Sequence, residues 1–181
     1  MLAIEDSVLL VIDVQGKLAS LMHEQEKIFG NIERMIKVAQ ILRMPILWTE
    51  QAPDKIGATI APINDLLFPL LKPISKRSFS VYGCPEFVEA LLKEKRRQVI
   101  ITGIEAHVCI YQSGRDLKCF GYDVHVLSDA VSSRFELNKT LALQRLHDEG
   151  AIISTTEMTV CELLKTADHP KFREVMSNIR R

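Results

Sequence analysis

Charge of one sign is what this chain most conspicuously lacks: 23 Lys and Arg balance 23 Asp and Glu, for a formal net charge of zero. Nucleic acid and anionic membrane therefore find no electrostatic footprint, and little opposes self-association. Long apolar runs are missing from the N-terminus, where Val8–Ile12 is followed at once by Asp13. That excludes a signal peptide or membrane span in this stretch. Cysteine is sparse, at positions 84, 109, 119 and 161, with no C-x-x-C and no metal-type cluster. Four scattered free thiols fit a reducing compartment, so a cytoplasmic location is expected. Internal repeats, low-complexity tracts and linkers are absent as well, which predicts a single domain over residues 1–181.

What is present is ordinary globular material: 47% apolar and 25% charged residues in 181, enough for one full hydrophobic core. Ser7–Asp13 is apolar on both alternating faces, as in a strand covered by helices on each side. Asn31–Arg43 carries apolar residues at helical spacing, with Asn31 as the expected N-cap and Pro45 beyond its end. Ile46–Thr49 reads as a strand and Glu50–Asp54 as a loop. A broken connection with a helical piece over 63–71 leads to a short strand or extended segment over 76–80. Further helices are expected at 85–95, 107–120, 137–149, 156–164 and 168–181, and further strands at 99–102, 123–127 and 151–154. Gly121 stands where a helix C-cap belongs, and Thr156 where an N-cap does. Strands alternating with helices predict a three-layer α/β/α sandwich around a mainly parallel, doubly wound, Rossmann-like sheet.

In such sheets, sites form beyond the carboxyl ends of the strands. Asp13, Glu50 with Gln51, Cys109 and Asp129 all follow strands. The stretch Val99–Cys109 reads as strand, tight turn at Gly103, then the start of a helix. A thiol there meets unpaired backbone N–H groups and the positive helix end, which favour the thiolate and can hold an oxyanion. The structural alternative is a small buried apolar cysteine. Asp13 is either a turn-forming acceptor or a general base for that thiol. Lys76 and Arg77 are the candidate cations. His107, a single turn before Cys109, has poor geometry for a Cys–His pair, and Arg134 reads as a surface residue that could meet an anionic substrate.

Asp13 in Val-Ile-Asp-Val-Gln, Lys76 in Lys-Arg-Ser-Phe-Ser and Cys109 in Gly-Ile-Glu-Ala-His-Val-Cys together resemble the isochorismatase-like cysteine hydrolase superfamily. Thr49-Glu50-Gln51 resembles its branch of isochorismatase domain-containing proteins. The resemblance spans about residues 6–165. It implies a catalytic triad of Asp13, Lys76 and Cys109, a non-proline cis bond at Ile104–Glu105, and an oxyanion hole of the Glu105 and Cys109 N–H groups. Gln15, Trp48, Glu50, Gln51 and Ile104 are the expected pocket residues. The metal-binding Asp-x-His of some members is replaced by Thr49-Glu50-Gln51, and no histidine lies between His23 and His107, so neither a metal nor another cofactor is expected.

The resemblance thus implies a metal-free hydrolase that forms a thioester-type intermediate with a small amide or related carbonyl compound. The expected partners are that small molecule and further copies of the chain, as a dimer or tetramer, with no nucleic acid and no membrane. Two other readings remain: a catalytically silent binding or scaffold protein of the same fold, and a redox thiol protein pairing Cys109 with Cys119.

Overall fold

The computed structural model describes residues 1–179. In chain order its elements are β1 (Ser7–Ile12), α1 (Gly16–Ala19), α2 (Gln25–Ile41), β2 (Ile46–Gln51), α3 (Pro53–Ile56) and α4 (Ala61–Leu67). There follow β3 (Ile74–Lys76), α5 (Pro85–Glu94), β4 (Gln98–Ile104), α6 (Tyr111–Cys119), β5 (Asp123–Ser132) and α7 (Glu136–Asp148). The last are β6 (Ile152–Ser154), α8 (Thr156–Leu164) and α9 (Phe172–Ile179). A π-helical turn, Ala106–Ile110, joins β4 to α6.

The six strands form one sheet in the order β3-β2-β1-β4-β5-β6, and every pairing is parallel. The predicted doubly wound sandwich is therefore what the chain builds, with a sheet wholly rather than mainly parallel. Side-chain alternation divides the core in two. Leu9, Val11, Trp48, Ile100 and Leu127 face α2, α4, α8 and α9. Val8, Leu10, Leu47, Val99, Ile101 and Val126 face α5, α6 and α7. Every residue of β1 is buried, as expected of a strand with a helical layer on each face.

Several boundaries differ from expectation, each for a physical reason. The helix expected to begin at Asn31 begins at Gln25. Asn31 is no cap: from inside α2 its Nδ2 donates to the Asp129 carbonyl at 2.8 Å and its Oδ1 accepts from Arg34 at 2.6 Å. β2 absorbs Glu50 and Gln51, expected in a loop. The buried Glu50 carboxylate is satisfied by the Thr59 N–H at 2.7 Å and its hydroxyl at 2.8 Å. β3 ends at Lys76 rather than starting there, and β5 runs on to Ser132 instead of stopping at Leu127. Thr155, not Thr156, caps α8. Thr156 instead donates from its N–H and hydroxyl to Asp129 Oδ1, at 2.8 and 2.9 Å, which uses Asp129 to tie β5 to α8. The terminal helix expected over 168–181 is present as α9, and its last two positions, 180 and 181, lie outside the described residues. Among the described residues no helix is long and apolar enough to cross a membrane.

Gly103 does not turn the chain after β4; it lies within the strand, paired with Ile12 of β1. Its φ is +121°, and a Cβ there would lie 2.1 Å from the Ile12 carbonyl oxygen and 2.7 Å from the Ile12 nitrogen. Both are backbone atoms of a central strand and cannot yield. Gly121, at φ +85° after α6, has open space where its Cβ would be. These two glycines separate crowding from backbone strain. Gly121→Ala is expected to cost about 1–2 kcal/mol, the left-handed penalty alone. Gly103→Ala adds the overlap and is expected to exceed about 4 kcal/mol. Urea unfolding of the two variants side by side measures the difference, and similar losses would contradict this account.

Candidate functional site

β1 and β4 are neighbours at the centre of the sheet, where the strand order reverses direction and a crevice opens beyond the carboxyl ends. Three sequence-predicted residues meet there. Asp13 follows β1 directly, in a left-handed conformation at φ +54°, and is 4% exposed. Its Oδ1 accepts from the Thr49 hydroxyl at 2.8 Å. Lys76, at the end of β3, lies with Nζ 2.6 Å from Asp13 Oδ2, and its side chain has no exposure. The contact is a buried ion pair.

A buried ammonium is tolerable only if every proton is used. Lys76 donates to Gln51 Oε1 at 2.7 Å and to the carbonyls of Ser78 and Phe79 at 3.1 Å each. Gln51 is held in turn. Its N–H donates to Gln15 Oε1 at 2.6 Å, and its Nε2 donates to the Arg77 carbonyl at 2.8 Å. Gln15 Nε2 donates to the carbonyls of Gln51 at 3.2 Å and Gly57 at 2.6 Å. Arg77, the other candidate cation, is exposed and paired with Asp54 at 2.9 Å.

Cys109 sits in the π-helical turn before α6 and is 6% exposed. Its thiol lies within the electrostatic reach of both Asp13 and Lys76. The helix-end argument anticipated a thiolate, and here the structure corrects it. Burial first, then the Asp13 carboxylate, push the thiol up to about 12, and Lys76 pulls it down by less. At neutral pH Cys109 is a protonated thiol beside a preformed carboxylate–ammonium pair.

Asp13, Gln15, Gln51, Ile104, Glu105 and Cys109 line a cavity of about 100 Å³. Leu18, Ile56, Phe79 and Val108 complete its wall. The sequence reading missed these four, because loop and short-helix residues carry no periodicity that marks them. Trp48 and Glu50, expected in the pocket, do not line it. Trp48 is buried in the core and its Nε1 donates to the Thr59 hydroxyl at 2.9 Å, the same threonine that occupies Glu50. Together they anchor the segment after α3 rather than face a ligand.

The Ile104–Glu105 peptide is cis. The Glu105 carboxylate accepts from the Arg134 N–H at 3.0 Å and its Nε at 3.2 Å through the single oxygen Oε2. His107 turns to the Ser133 hydroxyl, 2.9 Å from its Nδ1. Cys119 ends α6, ten positions after Cys109 and about 15 Å further along a helical path, beyond disulfide reach. No cluster of three or more His, Cys, Asp and Glu side chains placed to hold a metal exists among the described residues.

A model of the isochorismatase domain matches residues 7–158. Isochorismatase domain-containing protein 2 of Danio rerio is 37% identical over 176 residues, which cover 96% of this chain and 87% of that protein. The solved structure described as MAR1 ribonuclease from Caenorhabditis elegans superposes with a TM-score of 0.93 at 37% identity, covering 99% of this chain and 92% of that one. The YcaC product of Escherichia coli, described as an octameric hydrolase of unknown specificity, has a TM-score of 0.87 at 24% identity. Coverage there is 99% of this chain and 96% of that one.

Two substitutions test the electrostatics. Lys76→Met leaves the Asp13 charge buried without its counter-ion and is expected to cost about 3–5 kcal/mol in urea unfolding. Asp13→Asn removes a cause that raises the thiol pKa while leaving the Lys76 ammonium beside the sulfur. Alkylation of Cys109 at pH 8.5 is then expected to speed up by about tenfold or more, one decade of thiolate per pKa unit. Slower alkylation in Asp13→Asn would show that the carboxylate does not oppose the thiolate.

Proposed function

The chain belongs to the isochorismatase family, and from that premise we propose that it is a metal-free cysteine hydrolase acting on a small amide or related carbonyl compound. The observation that carries the proposal is the buried Lys76–Asp13 ion pair, whose carboxylate lines the same cavity as the Cys109 thiol and acts on it electrostatically. Buried ion pairs add little stability compared with apolar residues of the same size. A pair built this way, against a thiol, gains its purpose from proton transfer.

In this mechanism the sulfur attacks the carbonyl carbon as Asp13 takes the S–H proton. The raised thiol pKa makes this transfer part of the attack, with no resting thiolate. The Glu105 and Cys109 backbone N–H groups hold the tetrahedral oxyanion. Collapse breaks the C–N bond, and the proton on Asp13 leaves with the amine, giving a thioester on Cys109. Asp13 then draws a proton from water, which attacks the thioester and releases the acid and the thiol. Lys76 keeps Asp13 oriented and stabilises its charged form between these transfers. No step draws on a cofactor.

The narrow, mainly apolar cavity and zero net charge favour a small neutral molecule over RNA, although the Caenorhabditis elegans relative is described as a ribonuclease. Assembly into a dimer or tetramer accords with that neutral charge and with exposed Phe135, Leu137 and Leu141 at the start of α7. The free cysteines accord with a cytoplasmic setting.

Ammonia release from a panel of short primary amides, with intact-mass detection of an acyl adduct, tests the proposal. Wild type is expected to release ammonia and to carry the adduct on Cys109. Cys109→Ala should do neither, and Asp13→Asn should lose about 10²–10⁴-fold in rate, even as its thiol alkylates faster. Absence of both ammonia and adduct across the panel would return the scaffold reading to first place.

A further inference from the structure

The polar groups around the cavity are nearly all spent. Gln15 uses its carbonyl on the Gln51 N–H and its amide nitrogen on two carbonyls. Gln51 uses its side chain on Lys76 and the Arg77 carbonyl. Asp13 is occupied by Thr49 and Lys76, and the Lys76 ammonium by Asp13, Gln51 and two carbonyls. The remaining wall is Leu18, Ile56, Phe79, Ile104 and Val108. Glu105 is different. Both bonds from Arg134 go to Oε2, while Oε1 accepts nothing among the described residues and is not sealed from solvent. No uncommitted cation lines the cavity, and Arg134 lies outside the lining, half exposed and held by Glu105.

A small cavity with mainly apolar walls, lined by a carboxylate that keeps one oxygen uncommitted, is selective in two directions. A ligand N–H finds an acceptor there. A ligand carboxylate finds a like charge and no counter-ion, so its desolvation is uncompensated. We propose that this site takes an uncharged primary carboxamide with a short apolar acyl group, that Glu105 accepts one of its N–H bonds, and that the same carboxylate excludes anionic analogues. Arg134 positions Glu105 by fixing Oε2. This selectivity rests on the hydrolase reading but is tested apart from it.

Iodoacetamide and iodoacetate are matched probes, one a neutral carboxamide and the other its anion. Each forms an S–C bond to the thiol, breaks a C–I bond, expels iodide and loses the thiol proton to base. Peptide-resolved mass spectrometry of the full chain gives their rate ratio at Cys109, with the exposed Cys119 and Cys161 as internal references. At Cys109 the ratio is expected to favour iodoacetamide by about tenfold or more over the reference cysteines, and Glu105→Gln to bring it within about threefold of them. Propionamide, but not propionate, should slow iodoacetamide labelling of wild-type Cys109, a measurement that needs no variant. Equal ratios at all three cysteines, a ratio unmoved by Glu105→Gln, or equal protection by propionate would each overturn the assignment. Ammonia release from the amide panel separates the two readings: with turnover intact, such results remove only the selectivity, whereas absent turnover removes the hydrolase.

Discussion

The pairing of Lys76 with Asp13 is the constraint on which the site depends. Both charges are buried, so each must be satisfied mainly by protein. Asp13 takes the Thr49 hydroxyl from β2, and Lys76 takes Gln51 from the same strand and two carbonyls from the segment after β3. Gln51 then requires Gln15, and Gln15 reaches the carbonyl of Gly57. A single buried ion pair thus locks the carboxyl ends of β1, β2 and β3 to the loops that wall the cavity. The strand order makes this possible, since β2 lies between the strands that supply the acid and the base.

The same pair sets the character of the thiol. Burial favours the neutral sulfur, the Asp13 carboxylate reinforces it, and the Lys76 ammonium offsets only part of the effect. Cysteine sites with a net positive neighbour store a thiolate; here the sulfur keeps its proton beside an ion pair. A protonated thiol resists adventitious alkylation and oxidation, which act through the thiolate. In the proposed mechanism it becomes a nucleophile when a bound electrophile lets the proton move to Asp13.

Residue type alone misassigned two positions that look functional. Trp48 and Glu50 both terminate on Thr59, a residue with no motif around it. A tryptophan and a glutamate at the end of a strand have the chemistry of a pocket, yet a buried carboxylate also has to find donors, and the Thr59 N–H and hydroxyl provide them. Asp129 likewise stands on the expected rim but is consumed by Thr156. Gly103 illustrates the reverse: a glycine that reads as a turn is required for the close approach of β4 to β1.

The alternation of apolar strands with amphipathic helices was decided by sequence, because period-2 and period-3.6 patterns are local and each requires a partner layer. From that follow the doubly wound sheet and the placement of Asp13 and Cys109 beyond neighbouring strand ends. The motifs around Asp13, Lys76 and Cys109 also carried the family. Only the tertiary structure decided that Lys76 rather than Arg77 turns inward, that Glu50 and Trp48 turn away from the cavity, and that Phe79, Leu18, Ile56 and Val108 wall it. It alone reversed the protonation of Cys109. A side chain's neighbours across the sheet, and the water they exclude, are non-local quantities: they exist only once segments tens of residues apart have been brought within hydrogen-bond distance.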